Sequence, residues 1–308
     1  MTDDESVSRR RVLRSAGVVG LGAVGAGAAA SARGEADRGP RRSDRALAID
    51  DDDGPDVFAG DDAPTCDRDR TDDDALPFDT NGDYGGWGGH EYHGTDEDED
   101  ADRAPVVFVH GNTDDACAFD PHAEAFLEGA YAGDGLWSIT FREETTTHPE
   151  MADQLDGFVE RVLEETGADA VDVVAHSLGV TGARYWMDEE DRYDDVETFV
   201  GLAGANHGTW VCGPGCEALP GRGEPCQFLS PSCADPGGPL HDLNSPDETP
   251  GDVDYYTIRG GLDLLFLQNR ESPALEGAEN VELEWRGHDA ARESEAAIRL
   301  TYGWLRDG

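Results

Sequence analysis

From residue 105 onward, short apolar runs alternate with longer segments in which apolar residues recur at helical spacing. The apolar runs predict strands at 105–109, 136–141, 171–175, 199–202, 255–258 and 281–285. Helical spacing predicts helices at about 120–131, 151–165, 178–187 and 289–305. Continuous apolar strands that alternate with helices are typical of a mostly parallel sheet covered by helices on both faces. The sequence therefore predicts an α/β fold for residues 105–308.

Residues 33–104 show neither pattern and contain the acidic runs 50–53, 72–74 and 96–100. Such a segment buries too little apolar surface to offset the entropy of ordering, which predicts a largely disordered acidic region. One aromatic island, residues 84–93, is a candidate for docking on the folded domain. A metal site at His90, Glu91 and His93 is the weaker interpretation, because their spacing is not a recognised ligand pattern.

The first 32 residues have the organisation of an export signal. A basic block at 8–14 that contains Arg9 and Arg10 resembles the twin-arginine signal, and a Gly/Ala-rich apolar stretch follows at 16–30. Small residues at 30–32 supply a cleavage pattern. We expect secretion through the twin-arginine machinery and no stable membrane span after cleavage. A membrane anchor is the alternative, although the apolar stretch is short for one.

Charge narrows the range of partners. The chain has 68 acidic and 23 basic residues, a net charge of −45 and a pI near 4.1, and every basic residue is Arg. Nucleic-acid binding and docking on anionic membranes both need clustered cations, so this balance argues against them. Residues 105–308 alone hold 41 acidic and 11 basic residues. The folded part is thus itself strongly acidic, and the composition resembles that of proteins from extreme halophiles, where salt screens repulsion.

The strongest chemical signal is the segment Ala175-His176-Ser177-Leu178-Gly179, which lies between a predicted strand and a predicted helix. A serine flanked by small residues at such a junction is the nucleophile elbow of α/β-hydrolases. The sharp turn projects the hydroxyl above the sheet, and the following helix N-terminus favours developing negative charge. An ordinary helix N-cap would explain Ser177 but not the tight spacing to Gly179. We therefore expect Ser177 to be a nucleophile.

A serine nucleophile needs a general base, and in this fold the base comes last along the chain. The downstream candidates are His207, His241 and His288. The first two precede the strand predicted at 255–258 and are out of order. His288 follows the last predicted strand, so it is the expected base.

The orienting acid should follow the strand before that histidine. Asp263 does so, whereas Asp252 and Asp254 precede this strand and would lie at the opposite end of the sheet. Asp289 adjoins the histidine and is better placed to cap the last helix. The sequence thus predicts Ser177, Asp263 and His288 as a catalytic triad.

An oxyanion hole needs two backbone N–H donors aimed at the tetrahedral oxygen. One is expected from Leu178, directly after the nucleophile, and the other from the loop after the first core strand. Asn112 is the candidate in that loop. His110 is expected to hold the loop by hydrogen bonds.

These residues carry a family resemblance that extends from about residue 105 to the C-terminus. The chain resembles the secreted class 2 triacylglycerol lipases and esterases of bacteria at His110-Gly111, at 171–179, at 204–209, at 243–253 and at Arg286-Gly287-His288. The resemblance implies a compact α/β-hydrolase without a large cap domain that cleaves carboxylic esters and uses no cofactor or metal. It also implies a lipid or other small ester as substrate.

Other functions are compatible with the same residues. Some extracellular polyhydroxyalkanoate depolymerases share these elements, and a large exposed apolar surface would favour that reading. An acyltransferase would pass the acyl group to an alcohol in preference to water. An inactive hydrolase fold used for binding stays possible because fold alone does not guarantee activity.

An insertion at about 206–252 separates a core strand from the strand that precedes Asp263. It holds four of the six cysteines, Cys212, Cys216, Cys226 and Cys233; the others are Cys66 and Cys117. In an exported chain we expect disulfides, with three pairings open to the four. A structural zinc is the alternative, although the spacing matches no common zinc knuckle. We expect the insertion to shape access to the site.

Overall fold

The computed structural model describes residues 84–95, 103–213 and 223–307. The predicted export signal, most of the acidic segment, Cys66 and Cys216 lie outside this range. Seven strands form one sheet in the order β1-β3-β2-β4-β5-β6-β7, with β1 antiparallel to β3 and every other neighbouring pair parallel. The strands are β1 (Gly85–Gly88), β2 (Val106–Val109), β3 (Leu136–Thr140), β4 (Val171–His176), β5 (Val196–Leu202), β6 (Asp254–Gly260) and β7 (Glu279–Leu283).

Helices fill most of the connections, and the predicted α/β fold is confirmed. α3 packs against α4, and α2, after β2, contacts the C-terminal helix α8. The helices are α1 (Gly89–His93), α2 (Asp120–Leu127), α3 (His148–Thr166), α4 (Leu178–Glu189), α5 (Gly223–Phe228), α6 (Pro239–Leu243), α7 (Ala290–Glu293) and α8 (Glu295–Asp307). In the described part of the chain, none of these is long and apolar enough to cross a membrane.

The central strands are fully buried, although β4 carries Asp172 and His176 among its apolar residues. Every residue of β2 and of β4 is buried, as expected for parallel strands covered on both faces. β2 pairs with β4 in a register that sets Val109 opposite Ala175. The end of the first parallel strand thus lies beside the end of the strand that carries the elbow.

The helix α3 begins one turn before its predicted start because its N-terminus carries a complete capping box. The Thr147 hydroxyl accepts from the Glu150 N–H, and the Glu150 carboxylate accepts from the Thr147 N–H. At the other end, Gly167 adopts a left-handed conformation with φ 69° and closes the last turn. These caps satisfy backbone groups that the apolar spacing alone does not locate.

The aromatic island is part of the sheet, upstream of the boundary predicted at residue 105. β1 runs antiparallel to β3, and Trp87 is 2% exposed, with its ring stacked on Tyr92 at a centroid distance of 5.3 Å. A Cβ on Gly86 would collide with the carbonyl oxygen of Ser138, so the glycines let two backbones meet. The His90 Nδ1 atom lies 2.5 Å from Asp134 Oδ1. Strand pairing over some fifty residues of sequence leaves no local signal, and glycine disfavours strands, so the sequence did not predict it.

The C-terminal helix predicted as one segment, 289–305, is two helices. Ser294 breaks it with an extended backbone, φ −68° and ψ 144°. Its hydroxyl accepts from the Ala297 N–H and its carbonyl from the Ile298 N–H, so Ser294 caps α8. The serine before Glu295 was the available signal.

The four cysteines within the described residues form disulfides, as predicted. Cys212 is bonded to Cys226 across the insertion, which is one of the pairings that the sequence left open. Cys117 and Cys233 are disulfide-bonded as well. The bond between Cys212 and Cys226 ties the segment after β5 to α5.

Candidate active site

Ser177 lies between the end of β4 and the start of α4 in a strained backbone conformation, with φ 54° and ψ −121°. Such a conformation is rare for residues other than glycine and is found where surrounding structure enforces it. The enforcing contacts are visible at Gly179, where a Cβ would collide with the carbonyl oxygen of His110 and lie 2.8 Å from that of Val109. The small residue two positions after Ser177 is therefore required by the close approach of α4 to the end of β2.

A hydrogen-bonded chain joins the three side chains that the sequence predicted. Ser177 Oγ lies 2.8 Å from His288 Nε2, and His288 Nδ1 lies 2.7 Å from Asp263 Oδ2. A carboxylate only accepts, so Nδ1 carries the ring hydrogen and Nε2 is free to accept from the serine hydroxyl. The arrangement of nucleophile, base and orienting acid is thus geometrically complete.

Each member of this chain stands at the carboxyl end of a strand. Asp263 follows β6, and His288 follows β7 on the turn that contains Gly287. The Asp263 side chain is 1% exposed, and its second oxygen accepts from the Leu265 N–H at 2.9 Å. Both carboxylate oxygens are therefore engaged, which fixes the plane of the group that holds His288.

The loop after β2 is held by His110. The Nε2 atom of this ring accepts from the Phe141 N–H at 3.1 Å, so Nδ1 carries the hydrogen and donates to the Gly111 carbonyl at 2.7 Å. In a trans peptide the C=O and the next N–H point in opposite directions, so the Asn112 N–H points away from this ring. A Cβ on Gly111 would lie 3.0 Å from the Ser177 Cβ, which puts the Gly111–Asn112 peptide beside the nucleophile.

The second predicted donor follows from the position of Leu178 as the first residue of α4. The N–H groups of a first helical turn have no acceptor inside the helix and are available to a ligand. The Leu178 N–H therefore lies at the open N-terminal end of α4, one residue after Ser177.

The histidines and acids that the sequence set aside lie in other contacts. His207 Nε2 is 2.8 Å from Glu248 Oε1, and this carboxylate raises the pKa of His207. His241 lies in α6, with its Nδ1 atom 3.2 Å from Asp242 Oδ1. Asp289 stands at the N-cap of α7, but its side chain makes no capping hydrogen bond, so its predicted capping role is wrong.

Asp289 also belongs to a cluster of three side chains that carry metal-ligand atoms. Ligand atoms of Asp289, His176 and His288 fall within 4.8 Å of one another. Both ring nitrogens of His288 are already hydrogen-bonded to Asp263 and Ser177. A cation here would have to displace one of these bonds, so the geometry fits a hydrogen-bonded base better than a metal ligand.

Six large apolar side chains are exposed in the described residues, and all six lie in loops after β5, β6 and β7. We name them the apolar rim: Trp210, Val211, Leu262, Leu264, Leu267 and Trp285. Hydrogen bonds join these loops: the Thr209 hydroxyl donates to the Leu265 carbonyl, and the Leu262 N–H donates to the Arg286 carbonyl. The rim thus borders the loops of Asp263 and His288.

Trp285 is the most exposed member of the rim, at 76%, and has a positive φ of 63°. A bulky residue in this conformation is strained, and this one lies three residues before His288. No motif in the sequence pointed to Trp285 as part of the site. Its only signal was an aromatic residue before a turn that carries the expected base.

The chain is similar to known lipases in sequence and in fold. Residues 103–297, more than half of the chain, match the family described as class 2 lipases. The mature form of lipase BlEst2 from Bacillus licheniformis is 15% identical with a TM-score of 0.54, over 68% of this chain and 94% of that one. Lipase B from Aspergillus fumigatus is 14% identical with a TM-score of 0.52, over 66% of this chain and 52% of that one. At these identities the structural likeness shows a shared α/β-hydrolase fold.

Proposed function

The chain belongs to the class 2 lipase family of carboxylic ester hydrolases, and we propose that it cleaves esters through an acyl-enzyme formed on Ser177. The observation that carries the proposal is the hydrogen-bonded chain from Ser177 Oγ through His288 to Asp263, with distances of 2.8 and 2.7 Å. A serine hydroxyl becomes a competent nucleophile when an adjacent base can take its proton.

In the first half of the reaction, Ser177 Oγ attacks the ester carbonyl carbon while His288 Nε2 takes the hydroxyl proton. Asp263 stabilises the imidazolium that forms and keeps the ring in the required tautomer. The imidazolium then gives its proton to the leaving alcohol. The alcohol departs, and the acyl group stays on Ser177.

In the second half, His288 Nε2 takes a proton from water as the water oxygen attacks the acyl carbon. Collapse of the tetrahedral intermediate returns that proton to Ser177 and releases the carboxylic acid. In both halves the N–H groups of Leu178 and Asn112 are the proposed donors to the oxyanion. Preorganised donors lower the barrier most when they point at the atom on which negative charge develops.

The test is hydrolysis of p-nitrophenyl esters in multimolar KCl by wild type and Ser177→Ala. We expect the substitution to lower kcat by about 10⁴-fold or more, because the nucleophile is removed. Ser232→Ala is the control, since the buried Ser232 hydroxyl has no hydrogen-bond partner among the described residues. Undiminished turnover by folded Ser177→Ala would refute the mechanism.

We further propose that the protein is secreted through the twin-arginine pathway and works at high salt. The support is the basic block with Arg9 and Arg10, outside the described residues, and the net charge of −45. At about 1 M salt the Debye length is about 3 Å, so repulsion between surface carboxylates is largely screened. Replacement of both arginines by lysine should leave the protein in the cell. Transfer of the enzyme from about 3 M to 0.1 M KCl should unfold it, because the carboxylates then repel each other with less screening. Circular dichroism measures the unfolding.

A polyester depolymerase is the second candidate, because the apolar rim suits an insoluble ester, whether a polyester or a triacylglycerol emulsion. Exposed apolar side chains on adjoining loops indicate binding to another apolar surface, which a dissolved short ester does not provide. Film clearing of a polyhydroxyalkanoate and acid release from a triacylglycerol emulsion separate the two substrates. A cleared film with no release from the emulsion favours the depolymerase, and the opposite result favours the lipase.

A further inference from the structure

Asp114 lies in the loop after β2, two residues after Asn112, and has no role in the proposed reaction. Its Oδ2 atom is 3.1 Å from Arg292 Nη1 and 3.9 Å from His176 Nδ1. His176 precedes the nucleophile, and Arg292 follows His288 by four residues. One carboxylate therefore reaches the loop of the proposed oxyanion hole, the elbow and the helix behind the base.

The contact with Arg292 is a constrained ion pair. Arg292 is 5% exposed, and its guanidinium lies over the Phe119 ring at 5.8 Å. Arg292 has two counter-charges, Asp114 on Nη1 and Glu293 on Nη2, and Asp114 is the less exposed of the two. Loss of a partner of a buried guanidinium is unfavourable, so Arg292 holds the Asp114 carboxylate in place. Arg292 is in α7, where the Ala291 N–H donates to the His288 carbonyl. The pair thus fixes the distance between the loop after β2 and the start of α7.

The second contact of Asp114, with His176, places the carboxylate against a ring that lies next to the base. The His176 ring lies beside the His288 ring with centroids 4.9 Å apart and planes at 45°. Burial lowers the pKa of His176, so this neighbour is an uncharged surface for the base near neutral pH. The His176 ring and the Arg292 guanidinium hold the pKa of the Asp114 carboxyl below its usual range, so Asp114 is an anion there.

We propose that Asp114 is a positioning residue for ester hydrolysis, which sets the spacing between the Asn112 N–H and the His288 ring. The inference rests on the proposed function. Asp114 touches no reacting atom in this account; it acts through Arg292 and His176. A misplacement of about 1 Å between catalytic groups can lower a rate about 10²-fold, so a residue that fixes this spacing affects the chemical step.

The experiment compares Asp114→Asn with Asp115→Asn. Both changes replace Asp by Asn in the same loop, but Asp115 accepts from the Cys117 N–H in a local cap, which Asn also provides. For Asp114→Asn we expect kcat to fall roughly 10- to 100-fold and KM to stay within about twofold, because alignment and not substrate binding is disturbed. For Asp115→Asn both constants should stay within about twofold.

Two further variants separate positioning from stability. Asp114→Glu keeps the charge and should recover most of the lost kcat, while Arg292→Lys keeps the charge but loses the planar fork and should lower kcat in the same direction. Circular dichroism under assay conditions gives the folded fraction of each variant. A kcat per folded molecule of Asp114→Asn within twofold of wild type would overturn the proposal.

Labelling by a fluorophosphonate distinguishes this failure from failure of the proposed function. The reagent forms a bond from phosphorus to Ser177 Oγ and releases fluoride, with the serine proton taken by His288, and its phosphoryl oxygen occupies the oxyanion hole. Slower labelling of Asp114→Asn than of wild type supports the positioning role. Equal rates overturn that role alone, whereas wild type that is not labelled at Ser177 overturns the proposed function.

Discussion

The buried hydrogen-bonded chain and the apolar rim stand side by side at the carboxyl ends of the same strands, but they differ in every physical respect. The Asp263 side chain is 1% exposed with both oxygens engaged, whereas Leu264, the next residue, is 75% exposed. One region holds its groups in fixed places by backbone contacts, and the other offers apolar surface to whatever approaches. We infer two separate roles from this difference: the hydrogen-bonded side chains Ser177, His288 and Asp263 carry out the proposed bond chemistry, and the apolar rim selects the physical form of the ester.

The largest expected effect comes from the acid, because it acts on every substrate. Asp263→Asn should lower kcat by about 10⁴-fold on soluble and insoluble esters alike, since the amide favours the wrong tautomer of His288. Asp289→Asn, a change of the exposed acid next to His288, should stay within about threefold of wild type. Steady-state assays on both substrate forms measure this, and a large loss in Asp289→Asn would reverse the assignment of the acid.

The next largest effect tests how tightly the elbow is fixed. Gly179→Ala would force a Cβ onto the His110 carbonyl oxygen, so we expect kcat to fall roughly 10- to 100-fold and stability by about 1–3 kcal/mol. Gly303→Ala in α8 is the matched control, because nothing lies within 4 Å of its added Cβ. That change should raise the free energy of unfolding by about 0.5–1 kcal/mol. Equal behaviour of the two variants would contradict the role of close packing at the elbow.

A smaller and selective effect is expected at the rim. Leu264→Ser combined with Trp285→Ser should lower the rate on an emulsified long-chain ester or a polyester film roughly tenfold, because apolar area is lost from the adsorbing surface. The rate on dissolved p-nitrophenyl acetate should change less than about twofold, since the chemical step is untouched. Equal losses of rate on both substrate forms would contradict the separate roles of the hydrogen-bonded side chains and the apolar rim.

The smallest effect lies at the opposite end of β4 from Ser177 and concerns stability alone. Burial raises the pKa of Asp172 to about 7, whereas an unfolded aspartate titrates near 3.9. Between about pH 4 and 7 the folded state binds more protons, so the free energy of unfolding falls as pH rises through this window. Asp172→Asn should therefore be more stable than wild type by roughly 1–3 kcal/mol above pH 7 and similar below pH 4.

Urea unfolding at pH 4 and pH 8 in multimolar KCl measures this effect of Asp172→Asn. Asp254→Asn is the control, because Asp254 is exposed at the same end of the sheet. A stability difference between wild type and Asp172→Asn that does not grow with pH would contradict the account. Catalytic constants should be unchanged in both variants, since neither side chain lies at the carboxyl ends of the strands.

The sequence was sufficient where a local pattern and chain order carry the information. Apolar runs predicted the six parallel strands, and order along the chain selected His288 over His207 and His241 and Asp263 over Asp252. These inferences work because the fold brings the carboxyl ends of parallel strands to one edge. The hydrogen bonds at the site join the side chains so selected.

The rest depends on contacts that no local pattern encodes. Strand β1 pairs with β3 across fifty residues, and Asp114 meets Arg292 across 178 positions. Trp285 is exposed and has a positive φ, a conformation that is disfavoured for a bulky residue. Such features become visible only when distant segments are placed together in three dimensions.

The central claim is that the acyl group passes through Ser177. The most direct measurement is acid quenching during turnover of a p-nitrophenyl ester in multimolar KCl, followed by mass spectrometry of peptides. The account predicts an acyl adduct on the peptide that contains Ser177, formed with an initial burst of p-nitrophenol and absent in Ser177→Ala. An adduct on another residue, or full turnover by the folded Ser177→Ala protein, would contradict it.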